Sequence, residues 1–158
     1  MTAAFGTDLM VEDSIVWGNT ARSGSLTNAQ VSADVGSSIR RCSISGGVGS
    51  LPAQESGEWA PRFVSPLGLD GVAGTEDDDL RMYGISECVD RGSAGALPPD
   101  RFDRDGDGNT GEAVPLDLAG NPRVQPLQAG LAAALDLGAY EGAQFGVEWS
   151  PRTLAVPE

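Results

Sequence analysis

D-L-A-G-N-P-R (Asp117–Arg123), echoed by D-L-G-A-Y-E (Asp136–Glu141), is the most patterned part of the chain. Gly120-Asn121-Pro122 is a turn signal, because Gly and Asn tolerate positive φ and Pro fixes its own φ near the value a turn needs. From Asp136 to Glu141, Leu137 and Ala139 fall on one face and Asp136 and Tyr140 on the other. That alternation predicts a short closing strand over 136–141.

Working back towards the N-terminus, short apolar runs alternate with clusters of Gly, Ser, Asn and Asp, which is the pattern of many short strands. No 3.6-residue period is sustained. Only the Ala-rich run Leu127–Leu135 has room for a turn or two of helix, and Gly130 interrupts it. Strands are expected over Asp8–Trp17, Gln30–Val35 and Ile39–Ile44. The last of these breaks parity, since Ile39 does not share a face with Cys42 and Ile44, so a bend or bulge is expected near Arg40-Arg41. Residues 48–60 and 67–78 read as loops, with strands at Pro61–Pro66 and Asp79–Ile85. Residues 93–116 read as an insertion before the tail. The expected organisation is one domain over 1–142 and an extended tail over 143–158, where Pro151 and Pro157 fall.

Several of these strings resemble a known family. D-x-x-G-N-P-R followed by D-I-G-A-Y-E ends the secreted proteins called choice-of-anchor Q domain proteins, which are pectate-lyase-like right-handed parallel β-helices. Trp17-Gly18-Asn19, Cys42-Ser43-Ile44-Ser45-Gly46-Gly47, Pro61-Arg62-Phe63-Val64-Ser65-Pro66, Asp79-Leu80-Arg81-Met82 and Cys88-Val89-Asp90-Arg91-Gly92 are similar to further strings of that family, in its order. The departures are Asp13-Ser14 for Asn-Ser, Ser65 for Asp, Ser86-Glu87 for Ser-Pro and Arg91 for Ala. The resemblance spans roughly residues 9 to 142.

It implies an all-β chain, a right-handed parallel β-helix of few rungs that is the C-terminal end of a longer stack. Rungs stacked about 4.8 Å apart pair every backbone group and build a continuous apolar interior. Gly and Asn supply the left-handed corners. The tail is expected to cap the stack, because an uncapped end leaves strand edges open to other chains, including a second copy of this one. About three rungs are expected, near the minimum for stability. The alternative is an irregular β-sandwich. The resemblance also implies a secreted or cell-surface location, although Met1–Phe5 lacks the pattern of a signal peptide.

Composition narrows the chemistry. The net charge is −13, all ten basic residues are Arg, and there is no His. Such a surface repels phosphate backbones, so nucleic acid is not an expected partner. Without His, catalysis would rest on carboxylates, Arg, Tyr or Ser. Two Cys are too few for a structural zinc. No apolar run is long enough to span a bilayer.

Asp103-Arg104-Asp105-Gly106-Asp107-Gly108-Asn109 matches D-x-D-x-D-G, the start of a calcium loop. Carboxylates at alternate positions converge on one hard cation and Gly108 permits the sharp turn. Asn109 would offer its carbonyl. An EF-hand would place Glu at position twelve, which is Val114, whereas Glu112 sits at position ten. The candidate calcium ligands are therefore Asp103, Asp105, Asp107, Asn109 and Glu112, and the alternative is a solvated acidic turn. A second acidic loop offers Asp70, Asp77 and Asp79 without a fixed spacing. Cys42 and Cys88, which the family reading places on nearby rungs, are expected to form a disulfide if the chain is secreted; the alternative is two buried thiols.

The expected function is non-catalytic: a structural, adhesive or carbohydrate-binding segment whose partners are polysaccharide or cell-surface components. The alternative is a fragment of a calcium-dependent polysaccharide lyase or glycoside hydrolase. A lyase would need a basic residue as proton acceptor, for which Arg40, Arg62 and Arg81 are available, though arginines on an outer sheet face ordinarily pair with acids. Trp17 and Trp59 could stack on sugars or pack in the core.

Overall fold

The computed structural model describes residues 9–19, 31, 36–50, 52–125 and 133–142. Expectations for Gln30–Val35 other than Val31, for most of Leu127–Leu135 and for the tail 143–158 lie outside these residues. Regular structure among the described residues is all strand apart from one 3-10 turn at Ala94–Ala96.

The strands are β1 (Met10–Glu12), β2 (Ile15–Val16), β3 (Ser38–Arg40), β4 (Ser43–Ile44), β5 (Ala53–Gln54), β6 (Phe63–Ser65) and β7 (Asp79–Met82). β1, β3 and β5 pair in parallel, with Val11 beside Ile39 and Ile39 beside Ala53. β2 and β4 also pair in parallel, Ile15 beside Ser43, and Ser43 continues to Gly57. Among the described residues three passes of the chain therefore stack in register, each with two short arms.

The bend between the arms is the same in each pass. Asp13, Arg41 and Glu55 occupy equivalent positions and have φ of 48°, 48° and 49°. A left-handed residue there turns the chain and flips side-chain parity, which is why Ile39 and Ile44 both reach one core although the sequence puts them out of phase. The bend expected near Arg40-Arg41 is this corner. The third pass was hidden in residues 48–60, which read as loop: only Ala53 and Gln54 are strand, and Ser56 completes the turn by accepting the Cys42 N–H at 3.0 Å.

Inside the stack, Val31, Ile39, Cys42 and Ile44 are buried, with Val11, Val16, Val48 and Ala53 against them. Branched side chains at equivalent positions of successive passes make continuous apolar columns. The opposite face of the second arm carries Ile15, which joins a second cluster of Met82, Cys88 and Leu137 with Trp59 and Phe63.

β6 and β7 do not extend the stack. They form an antiparallel pair, Phe63 beside Met82 and Ser65 beside Asp79, joined by the acidic loop 66–78.

The tail differs from the expected closing strand. Residues 136–141 are not a strand. Gly138 has φ of +91°, and Asp136, Leu137 and Glu141 are all buried while Ala139 is exposed. Leu137 donates to the Cys88 carbonyl at 3.0 Å and Gly138 to the Asp13 carbonyl at 2.8 Å, so the tail is tied to the first described pass.

Candidate metal centre and the tail network

Two short antiparallel contacts hold the acidic insertion. The Asp100 N–H donates to the Glu112 carbonyl at 2.7 Å, and the Val114 N–H to the Pro98 carbonyl at 2.9 Å. Residues 98–100 and 112–114 are thus the stem, and 101–111 the loop. Gly106 and Gly108 have φ of +78° and +86°, which lets the loop coil tightly.

The loop is organised by its own carboxylates. Asp103 Oδ1 accepts the Gly108 N–H at 3.0 Å. Asp105 Oδ1 accepts from Asp107 at 3.3 Å, Asp107 Oδ1 from Asn109 at 2.7 Å, and Asn109 Oδ1 from Gly111 at 3.2 Å. The other oxygens of the three aspartates remain available. Asp103, Asp105 and Asp107 each present a carboxylate oxygen within 4.8 Å of the others, as the spacing predicted.

Glu112 Oε2 accepts from the Asn109 side-chain amide at 3.4 Å. Its carboxylate groups with Asp105 and with Asp100, again within 4.8 Å. Asp100 is 1% exposed, and its Oδ2 accepts the Arg104 N–H at 2.7 Å. Asp100 Oδ1 and Glu112 Oε1 are buried and accept no hydrogen bond. Glu112 is pushed above the usual carboxylate range by burial and then by Asp107, Asp105, Asp100 and Asp103. Like charges held this close favour either a proton or a cation. The sequence reading missed Asp100 because it lies before the D-x-D-x-D-G window. The signal that could have found it is Pro98-Pro99, an extended entry that faces Ala113 across the stem.

In the second acidic loop, Asp70, Asp77 and Asp79 are not brought together as a ligand set. Asp77 Oδ2 accepts from Leu69 and Asp70 N–H groups at 2.5 and 3.2 Å. Asp70 Oδ1 accepts the Val72 N–H at 2.8 Å, and Asp79 pairs with Arg81 at 2.5 Å. These carboxylates hold the turn.

The two tail motifs form one buried polar network. Asp117 Oδ1 accepts N–H groups from Ala119 and Asn121 at 2.8 and 2.7 Å, and Oδ2 accepts from Glu141 at 2.9 Å. Burial pushes Asp117 up, but the N–H groups of Glu141 and Asn121, the Asn121 amide and the Ala119 N–H together hold it below its ordinary value. Arg123 donates to the Gly138 carbonyl at 2.9 Å and lies 3.1 Å from Glu141. Asp136 accepts from Asp90 at 2.7 Å and Gly142 at 2.5 Å, and Glu141 accepts from Asp136 at 3.1 Å. Asp117, Arg123 and Asp136 thus each fix a backbone group of the other motif or of a neighbouring turn, and Glu141 fixes the Asp136 N–H of its own motif.

Cys42 and Cys88 are both buried free thiols, in separate apolar clusters. Cys42 Sγ faces the Val11 and Arg40 carbonyls at 3.5 and 3.2 Å, and Cys88 Sγ faces the Trp59 carbonyl at 3.3 Å. Of the residues considered for a lyase, Arg81 is held at 2.9 and 2.5 Å by Asp79, which makes it harder to deprotonate. The Arg91 guanidinium lies 4.2 Å from the centre of the Trp59 ring and covers one of its faces.

Among the described residues no helix is long and apolar enough to cross a membrane. The chain matches no family model, no curated protein and no solved structure.

Proposed function

We propose that the chain is a non-catalytic structural module, the end of a right-handed parallel β-helix of the choice-of-anchor Q type, acting in adhesion or carbohydrate binding at a cell surface. The observation that supports this most is the repeated corner at Asp13, Arg41 and Glu55, with parallel strands in register on both sides of it. A stack of this kind is a scaffold whose faces repeat along one direction, which suits an extended polymer better than a small substrate. The motif order in the sequence supports the family assignment.

Calcium on the acidic loop completes the reading. Hard oxygen ligands, several carboxylates and a glycine-rich coil suit calcium, and an ion there rigidifies the insertion beside the tail. Binding to the folded state alone would raise stability by about 2.7 kcal/mol at a hundredfold excess over Kd. Thermal melts in calcium and in chelator test it. Wild type should melt higher with calcium, Asp105→Ala should lose most of the gain, and equal melting temperatures would leave a solvated acidic turn.

Co-sedimentation with insoluble polysaccharides and retention on immobilised acidic polysaccharides test the binding role. Appearance of unsaturated uronide products, or of reducing ends, would instead favour the lyase or hydrolase reading.

A further inference from the structure

We propose that the cation of the acidic loop is held on its inner side by Asp100, Asp105 and Glu112, with Asp100 as a buried anchoring ligand. This rests on the calcium reading above and replaces part of its ligand set. The spacing of the sequence points to the outer trio Asp103, Asp105 and Asp107. All three are at least partly exposed to water, and none of their carboxylate oxygens is a buried atom left without a partner. Exposed acids so placed are common without any ion.

The inner trio is different. Asp100 is 1% exposed, yet Oδ1 accepts nothing, and Glu112 Oε1 beside it is also buried and unpartnered. A buried carboxylate oxygen without a donor is strongly unfavourable unless a proton or a cation faces it. The stem explains why these two side chains meet. The hydrogen bond from the Asp100 N–H to the Glu112 carbonyl fixes them opposite one another. Asp105 then reaches in from the coil, its carboxylate within 4.8 Å of both. Three carboxylates, with water filling the remaining positions, suit a calcium-sized cation with irregular geometry. Magnesium demands a tighter octahedron and keeps its waters.

The experiment compares wild type, Asp100→Asn, Glu112→Gln and Asp107→Asn by equilibrium dialysis with calcium and by thermal melts in calcium and in chelator. Asp100→Asn and Glu112→Gln should each weaken calcium binding roughly tenfold or more, and Asp107→Asn by no more than about threefold. In chelator, Asp100→Asn should melt as high as wild type or higher, because Asn keeps an acceptor for the Arg104 N–H and removes the unpaired buried charge. Calcium should then raise its melting temperature less than that of wild type. If wild type binds calcium and Asp107→Asn loses it while Asp100→Asn and Glu112→Gln do not, the inner site is wrong and the outer loop stands. If Asp100→Asn melts lower by the same amount with and without calcium and binds it normally, Asp100 is only a brace for the stem and the inference falls. If wild type binds no calcium, both readings fall together.

Discussion

Gly138 donates its N–H to the Asp13 carbonyl at 2.8 Å, joining the tail motif to the first corner of the stack. Asp13 is engaged on its other side too, since its carboxylate lies 2.7 Å from Arg41 and accepts the Ser93 N–H at 3.3 Å. One residue therefore links the stack, the segment leading to the acidic insertion and the tail. Integrity of that junction should govern the stability of the whole chain.

Gly138→Ala and Gly138→Val test the junction directly. Gly138 has φ of +91°, and a Cβ there would meet Ile15 Cδ1 at 3.3 Å. A side chain adds backbone strain of about 1–3 kcal/mol, and Val adds branching against Ile15. Urea unfolding should show both variants destabilised, with Val lower than Ala. Wild-type midpoints would detach the tail from the stack.

Arg41 tests the corner. It lies between Asp13 and Glu12 of one pass and Glu55 of the next, and the Asp13 hydrogen bond is the main cause holding its charge in place. Arg41→Gln leaves three acids facing one another around a half-buried corner. A hydrogen bond to a charged group is worth about 1.5–3 kcal/mol, so a loss of that size is expected. The double variant Arg41→Gln with Asp13→Asn should recover part of it. Additive losses would mean that the two residues do not interact.

The thiols make a third prediction. Burial pushes both Cys42 and Cys88 above the ordinary thiol value, so neither should form thiolate readily. Without reductant, a thiol reagent should label neither in native buffer and both in denaturant. Failure to label the unfolded chain would show that a disulfide is present after all.

Much of this architecture could be read from residues, and the failures share a cause. Val11, Val16, Ile39 and Ile44 announced short strands, and the parity break at Arg41 announced the corner. The third pass was missed because Ala53 and Gln54 lack the branched apolar side chains by which strands are recognised; they pair because the preceding pass presents a ready edge. The tail was misread for the opposite reason. Leu137 and Ala139 alternate like a strand, but Asp136 and Glu141 capture backbone N–H groups in place of a neighbouring strand. In the metal loop, local spacing located Asp103, Asp105 and Asp107. Asp100 enters only through the stem, a pairing that local spacing does not encode.

The last prediction concerns pH. Glu141 is buried, and desolvation first, then the neighbouring Asp136, push it from the usual carboxylate range to about 8, against the opposing pull of the Asp136 N–H and Arg123. Asp117 adds to the repulsion. A carboxyl whose value is raised on folding binds its proton more tightly in the folded state. Its contribution is therefore fully present below its unfolded value near 4.5 and is lost as pH rises towards 8. The slope from one such group is at most about 1.4 kcal/mol per pH unit. Asp90, raised by burial and by Asp136, acts in the same direction. Asp117, held below its ordinary value, acts oppositely, and its contribution disappears only in stronger acid. Stability measured by urea unfolding should therefore peak in mild acid and decline from there to about pH 8, where most folded proteins of this size hold a plateau. Glu141→Gln removes the titrating group while keeping an acceptor for the Asp136 N–H, and should flatten that decline. A wild-type profile that is flat or rising over the same range would mean that Arg123, 3.1 Å away, outweighs burial and keeps Glu141 ionised.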